Sequence, residues 1–319
     1  MRLTDYLIIF VIILIPFMVV SDLKTKEIQC VEYKKLCMDK MLEAAVDDAA
    51  SQMVEKSEDN KVSIDKEKAI KCFFNSLFLN MRITDDEIRQ KEVTGYIPVI
   101  AIMDYTGYYI LSNEIYSAAD GSKRIEMIWH PKKMYAISRD HYVINFALDL
   151  NYVSIYDSTS RVLTEGAYDD IKSSFTETYI QNKDDFEQMR RDTIVNSLQA
   201  DVNQCINRHN EIAKHFSIAY NFTLPNIEKN AWTRTVSDYG VIAFFQGMPV
   251  GLGQYYNTYA LGGARVVKKN PLFIKDDTST GFKYYHKLNC PTTSPTSITV
   301  DDAKEAALEG ALPCHDCKP

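Results

Sequence analysis

Residues 282–319 read FKYYHKLNCPTTSPTSITVDDAKEAALEGALPCHDCKP, and the spacing of four side chains in this stretch points to a chemistry. His286 and Cys290 form an H-x3-C pair, and Cys314 and Cys317 form a C-x2-C pair. Together they offer the nitrogen and sulfur donors of a tetrahedral zinc site. Four protein donors leave no position for water or substrate, so the expected role is folding and not catalysis. Between the pairs, Thr299 with Asp302 reads as a helix start, Ala303, Ala306 and Ala307 as a small apolar face, and Gly310 as the stop. A module this short, with so few large apolar groups, cannot offset chain entropy by burial alone and needs a metal or disulfides as a staple. Disulfides or ordinary thiols are the rival reading; zinc is favoured because His286 has no part in a disulfide account. His315, between the last two cysteines, is expected to face solvent.

The pattern YHKLNC, a polar spacer, ITVDDAKEAALEG and a closing PCHDCKP resembles a small zinc-binding module appended to many bacterial secreted or membrane proteins. It is also similar to the metal-binding segment of the Ada DNA-repair family. The resemblance covers residues 282–319 only, and it implies zinc held by His286, Cys290, Cys314 and Cys317. Ada-type segments use four cysteines and alkylate one of them. Here the first position is His286, so the likeness extends to the metal and the local fold and not to methyl transfer.

The whole chain has 319 residues, 46% hydrophobic and 25% charged, enough for one large or two medium domains besides the tail. A formal charge of -7 with scattered Lys and Arg argues against a nucleic-acid partner. Beyond the tail, Cys30, Cys37, Cys72 and Cys205 show no disulfide framework. From Tyr6 to Val20 every residue except Pro16 is apolar or aromatic, which with its flanks approaches the length of a bilayer-spanning helix. Residues 1–23 are therefore expected to be a single-pass anchor in a cell membrane, with the bulk of the chain extracytoplasmic; a cleaved signal peptide is the rival reading. Lys24 and Lys26 are offset by Asp22 and Glu27, so charge bias leaves sidedness nearly undecided.

Residues 24–94 read as a helical stalk. Ile28, Val31, Met38, Leu42, Ala45, Val46, Ala49 and Met53 recur at helical spacing, and a second helix carries Ala69, Ile70, Phe73, Phe74, Leu77 and Phe78 on its buried side. Thr84 with Glu87 reads as a capping box for a third. After Gly95 the period changes to two, giving a hairpin about Asp104–Gly107 and strands over 125–129, 141–146, 152–156 and 161–164. Asp104, His130, Asp140 and His141 sit at turns or strand starts without a nucleophile, and turn chemistry explains them. A long helix from Asp184 to Phe216 is expected to cover the sheet, and strands follow over 239–246 and 254–267. The fold class is α+β: an anchor, a stalk, an antiparallel-sheet domain over 95–268, a linker over 269–281 and the zinc module over 282–319.

The order of anchor, long helix and sheet resembles pilin-like proteins and components of tight-adherence-type pilus machines, with Asp5 as the acidic residue near the start of the hydrophobic helix. That resemblance implies a non-enzymatic structural or assembly protein of a cell-surface pilus- or secretion-like machine, whose partners are the lipid bilayer and other protein subunits. No small-molecule substrate is identified. Alternatives are an extracytoplasmic sensor or ligand-binding domain, and a membrane-tethered enzyme acting on nucleic acid, since related zinc tails occur beside nucleases.

Overall fold

A computed structural model of the protein describes residues 3–56, 62–225, 227, 232, 238–264, 272–277, 281–287, 290–291, 293, 298–300, 306–307 and 309–317, with backbone alone at 3–9, 11, 56, 216 and 299. The chain divides into two compact units, Met1–Arg265 and Val266–Pro319.

The first unit opens with α1 (Leu3–Met53). A short hairpin of β1 (Val54–Lys56) and β2 (Val62–Ile64) leads into α2 (Lys66–Asn80) and α3 (Glu87–Gly95). Asp65 caps α2 by accepting the N–H of Lys68 at 2.9 Å. Asp86, and not the expected Thr84, caps α3, its carboxylate accepting the N–H of Arg89 at 3.0 Å. The carboxylate two residues further along takes the orphan donors of the first turn.

An antiparallel sheet follows: β3 (Val99–Asp104), β4 (Gly107–Ser117), β5 (Lys123–Trp129), β6 (Lys133–Arg139), β7 (Tyr142–Phe146), β8 (Val153–Asp157) and β9 (Val162–Gly166). Short helices α4 (Tyr168–Ile171) and α5 (Thr178–Gln181) connect to α6 (Lys183–Ala213), and β10 (Gly240–Gly251) and β11 (Gln254–Gly263) return to the sheet. Its order is β11-β10-β3-β4-β6-β7-β8-β9, with β5 also on β4. The sheet forks at β4, where Gly107 and Tyr108 pair with β6 while Leu111–Ser117 pair with β5. Helix α6 packs on β3, β4 and β6, and α1 packs on β10 and β11. Val31, Met38, Leu42, Ala45, Val46, Ala49 and Met53 are buried on α1 at the expected spacing, while Ile28 is exposed.

The start of α1 corrects one expectation. Among the described residues no helix is long and apolar enough to cross a membrane. The side chains of residues 1–9 and 11, part of the expected anchor over 1–23, lie outside the described residues. The apolar run Tyr6–Val20 spans roughly 22 Å at about 1.5 Å per residue, against about 30 Å of hydrocarbon. Asp22, Lys24 and Lys26 then follow on the same helix. The single-pass anchor and the cell-membrane localisation drawn from it are withdrawn on this ground.

Two side-chain amides tie the extended segment after α6 to its surroundings. Asn210 accepts the N–H of Phe222 at 2.6 Å and donates to its carbonyl at 2.8 Å; Gln246 does the same for Thr223 at 3.0 and 2.7 Å. Adjacent peptides of an extended chain face opposite ways. One amide on α6 and one on β10 thereby replace the ladder bonds this segment lacks.

The second unit is a small sheet in the order β14-β12-β13-β15. Its strands are β12 (Leu272–Asp276), β13 (Lys283–Lys287), β14 (Thr299–Val300) and β15 (Ala311–Pro313). Residues 272–276, expected within a linker, are its central strand, with Leu272, Phe273 and Ile274 buried. Thr299, expected to start a helix, lies on β14 opposite Phe273. Ala306 and Ala307 are helical as expected, whereas 301–305 and 308 lie outside the described residues.

Candidate metal centre

Three short pieces of chain, each held by backbone bonds to β13, bring the four predicted ligands together. On β13, His286 stands opposite Phe273 of β12. The two rings stack with centroids 5.1 Å apart and planes 18° from parallel, and Phe273 is fully buried, which fixes the imidazole. A turn after β13, closed by the Cys290 N–H on the Lys287 carbonyl at 3.0 Å, carries Cys290 back beside His286. The imidazole Nδ1 and the Cys290 Sγ are 3.4 Å apart.

The second pair arrives on the other side of β13. β15 runs parallel to it with Pro313 opposite Tyr285, and the register continues through the N–H of Cys314 donated to the Tyr285 carbonyl at 3.1 Å. A turn then places Cys317, whose sulfur accepts the N–H of Lys287 at 3.4 Å. The bonds on Tyr285 and Lys287 therefore bracket His286 in the strand.

The donor atoms of His286, Cys290, Cys314 and Cys317 all lie within 4.8 Å of one another. A tetrahedral centre with metal–sulfur bonds of about 2.3 Å has sulfur–sulfur edges of about 3.8 Å, so the four donors surround a position an ion can fill with sub-ångström adjustments. His286, Cys290 and Cys314 are buried, Cys317 is half-buried, and all three cysteines are free thiols. Burial, opposed by the Lys287 N–H and reinforced by the neighbouring thiols, raises the Cys317 thiol above its ordinary value. Crowded thiols ionise against one another, and a cation relieves that conflict.

The two faces of this sheet differ. One carries an aliphatic cluster of Leu272, Ile274, Tyr285, Val300, Ala306 and Ala311. The other carries Phe273 with Cys290, Cys314 and Cys317 packed on it. On that face the four candidate ligands stand where a core would be, and three sulfurs with one imidazole form the soft donor set that transition-metal ions prefer. The cluster can hold a metal ion. His315 is 99% exposed, as expected, and takes no part.

The first unit holds the polar groups that tempt a catalytic reading. Asp104 pairs with Lys132 at 2.5 Å, and Asp140, at positive φ, accepts from the Tyr179 hydroxyl at 2.9 Å. His141 lies 3.9 Å from Asp157. These are turn and sheet-edge contacts. His130 is different, because its Nε2 lies 2.8 Å from the Ser112 Oγ and 3.5 Å from Glu114, which also pairs with Arg208. Sequence reasoning missed this cluster, whose only signal is the i, i+2 placement of Ser112 and Glu114 on one strand face. Ser112 and Glu114 approach the same ring nitrogen, so the carboxylate does not orient the imidazole from behind as acyl transfer requires. Ser112 is also 1% exposed.

The chain matches no protein-family model, and neither the curated proteins nor the solved structures contain a significant match to it.

Proposed function

We propose that this chain is a non-enzymatic structural or assembly protein whose second unit is organised by a zinc ion on His286, Cys290, Cys314 and Cys317. The observation that carries the reading is the convergence of those four donors within 4.8 Å. The Cys3His donor set suits zinc, which takes a closed tetrahedral shell in structural sites and is insensitive to redox change at the metal itself. The likeness of the tail to Ada-type metal-binding segments supports the same ion, with His286 in the first position setting aside methyl transfer. When bound, the ion supplies folding free energy to a unit whose second face, among the described residues, packs only Phe273 against the cysteines.

The assembly half of the reading rests on α1. Its buried face begins at Val31, while the large apolar side chains described ahead of it are exposed, Ile13, Phe17 and Met18 by more than half. Contiguous exposed apolar surface of this kind marks contact with other molecules, and other protein subunits are the partners this reading assigns.

Both halves are testable on the full chain. Metal analysis of the purified protein is expected to give one zinc per chain, and Cys314→Ser or Cys317→Ser to lose it and to open the second unit to protease while the first stays resistant. A variant tail as resistant as the wild type refutes the metal half. Cross-linking followed by mass measurement is expected to show assemblies, and a strictly monomeric chain at high concentration refutes the other.

A further inference from the structure

We infer that Cys314 and Cys317 are an oxidation site for a small hydroperoxide, and that joining them as a disulfide releases the zinc. This rests on the zinc reading above and adds to it which ligands can be withdrawn and by what.

The ligands are not equally reachable. A cleft of about 440 Å³ opens onto Cys314 and His286, with Lys275, Tyr284 and His315 on its walls. Cys317 is half-buried at the turn that ends the site, whereas Cys290 is buried against Phe273 and does not line the cleft. Of the three cysteines, Cys314 lines the cleft although it is itself buried, and Cys317, outside the cleft, is the least buried residue, so both points of access belong to the C-x2-C pair. Residues 315–317 form a turn. Across such a turn the first and fourth α-carbons lie within about 7 Å, the outer reach of a disulfide, and no other backbone need move to join them. All three sulfurs lie within 4.8 Å of one another, but joining Cys290 to either one would link two separate segments instead of the ends of one turn.

The chemistry balances with the peroxide alone. One thiolate attacks a peroxide oxygen, the O–O bond breaks, and hydroxide leaves with the sulfur now a sulfenic acid. The second thiolate attacks that sulfur, the S–S bond forms, and a second hydroxide leaves. Two solvent protons convert the hydroxides to water. The two electrons come from the sulfurs, and zinc remains divalent throughout. The ion is left with His286 and Cys290, half of its shell, and dissociates. A thiol reductant reverses the S–S bond and restores the shell.

The test uses the full zinc-loaded chain with hydrogen peroxide, a chromophoric zinc chelator and peptide mass mapping. One zinc per chain is expected to be released in step with the loss of two hydrogens from the peptide holding Cys314 and Cys317. Dithiothreitol is then expected to return both the thiols and the metal. Zinc retained after peroxide treatment, or a disulfide that includes Cys290, overturns this inference and leaves the zinc reading standing. A chain that holds no zinc before peroxide is added overturns both.

Discussion

His209 and Arg190 show what single buried polar groups contribute to α6. His209 is fully buried, and its Nε2 donates to the Gly95 carbonyl at 2.9 Å while Nδ1 has no hydrogen-bond partner among the described residues. Burial pushes its imidazole from 6.5 down to about 4. Well above pH 6.5 the group is neutral in both folded and unfolded chains, and its ionisation adds nothing to the pH dependence of stability. As pH falls from there, the unfolded chain takes up a proton that the folded one refuses, and stability drops until the folded value is reached. The loss over that window is about 3 kcal/mol. Urea unfolding at pH 7.5 and pH 4.5 is expected to show it in the wild type and to show it reduced in His209→Gln; an unchanged pH dependence in the variant assigns the effect elsewhere. Arg190, 2% exposed, donates to the Leu148 carbonyl at 2.7 Å and to Glu187 at 2.7 and 2.9 Å. Arg190→Met removes this donor from the Leu148 carbonyl and leaves Glu187 with Arg191, and is expected to lower the unfolding free energy by about 3 kcal/mol. At this scale the convergence of His286, Cys290, Cys314 and Cys317 was legible, because their spacing is that of a metal clip. His209 was not, since a histidine on a helix stripe carries no sign of whether its second nitrogen finds a partner.

Elements join where side chains are small. A β-carbon at Gly262 of β11 would stand 2.7 Å from the Val46 carbonyl of α1, closer than packed atoms come. Gly262→Ala therefore pushes α1 away from β11 and is expected to cost about 1–3 kcal/mol, measured as a lower denaturant midpoint with an unchanged slope; a neutral result means that the helix can shift freely. This contact is non-local, so α1 announces its length and buried stripe in sequence but not the strand that receives it. Other elements hid for local reasons. On β6 only Tyr135 is buried, so no alternation of apolar and polar residues reveals the strand. β12 reads as a linker because Lys275, Asp276 and Asp277 follow three apolar residues and charge dominates the window. The apolar run at the start of α1 was overweighted, because its composition counted for more than the length and the charged turn beyond it.

At the scale of the molecule, the two compact units differ in what holds them. The first has a sheet with helices α1 and α6 packed on it, and the second has, among the described residues, one small apolar cluster and the group of candidate ligands. Calorimetry is expected to show two transitions, with a strong chelator lowering the smaller one alone. A single transition unmoved by the chelator removes the metal from the stability of the second unit. Acidification is expected to have the same effect as the chelator, since protons compete for thiolate and imidazole. The α+β class was legible from the change of period after Gly95. The seam between units was not, because the strand that completes the smaller one lies ahead of its first ligand.

That arrangement also fixes when the centre can exist. During synthesis His286 and Cys290 leave the ribosome ahead of Cys314 and Cys317. A cation met at that moment finds two donors and a loose grip. Firm capture waits for the final turn, so a product cut short before Cys314 leaves synthesis with its smaller sheet unclosed and open to degradation.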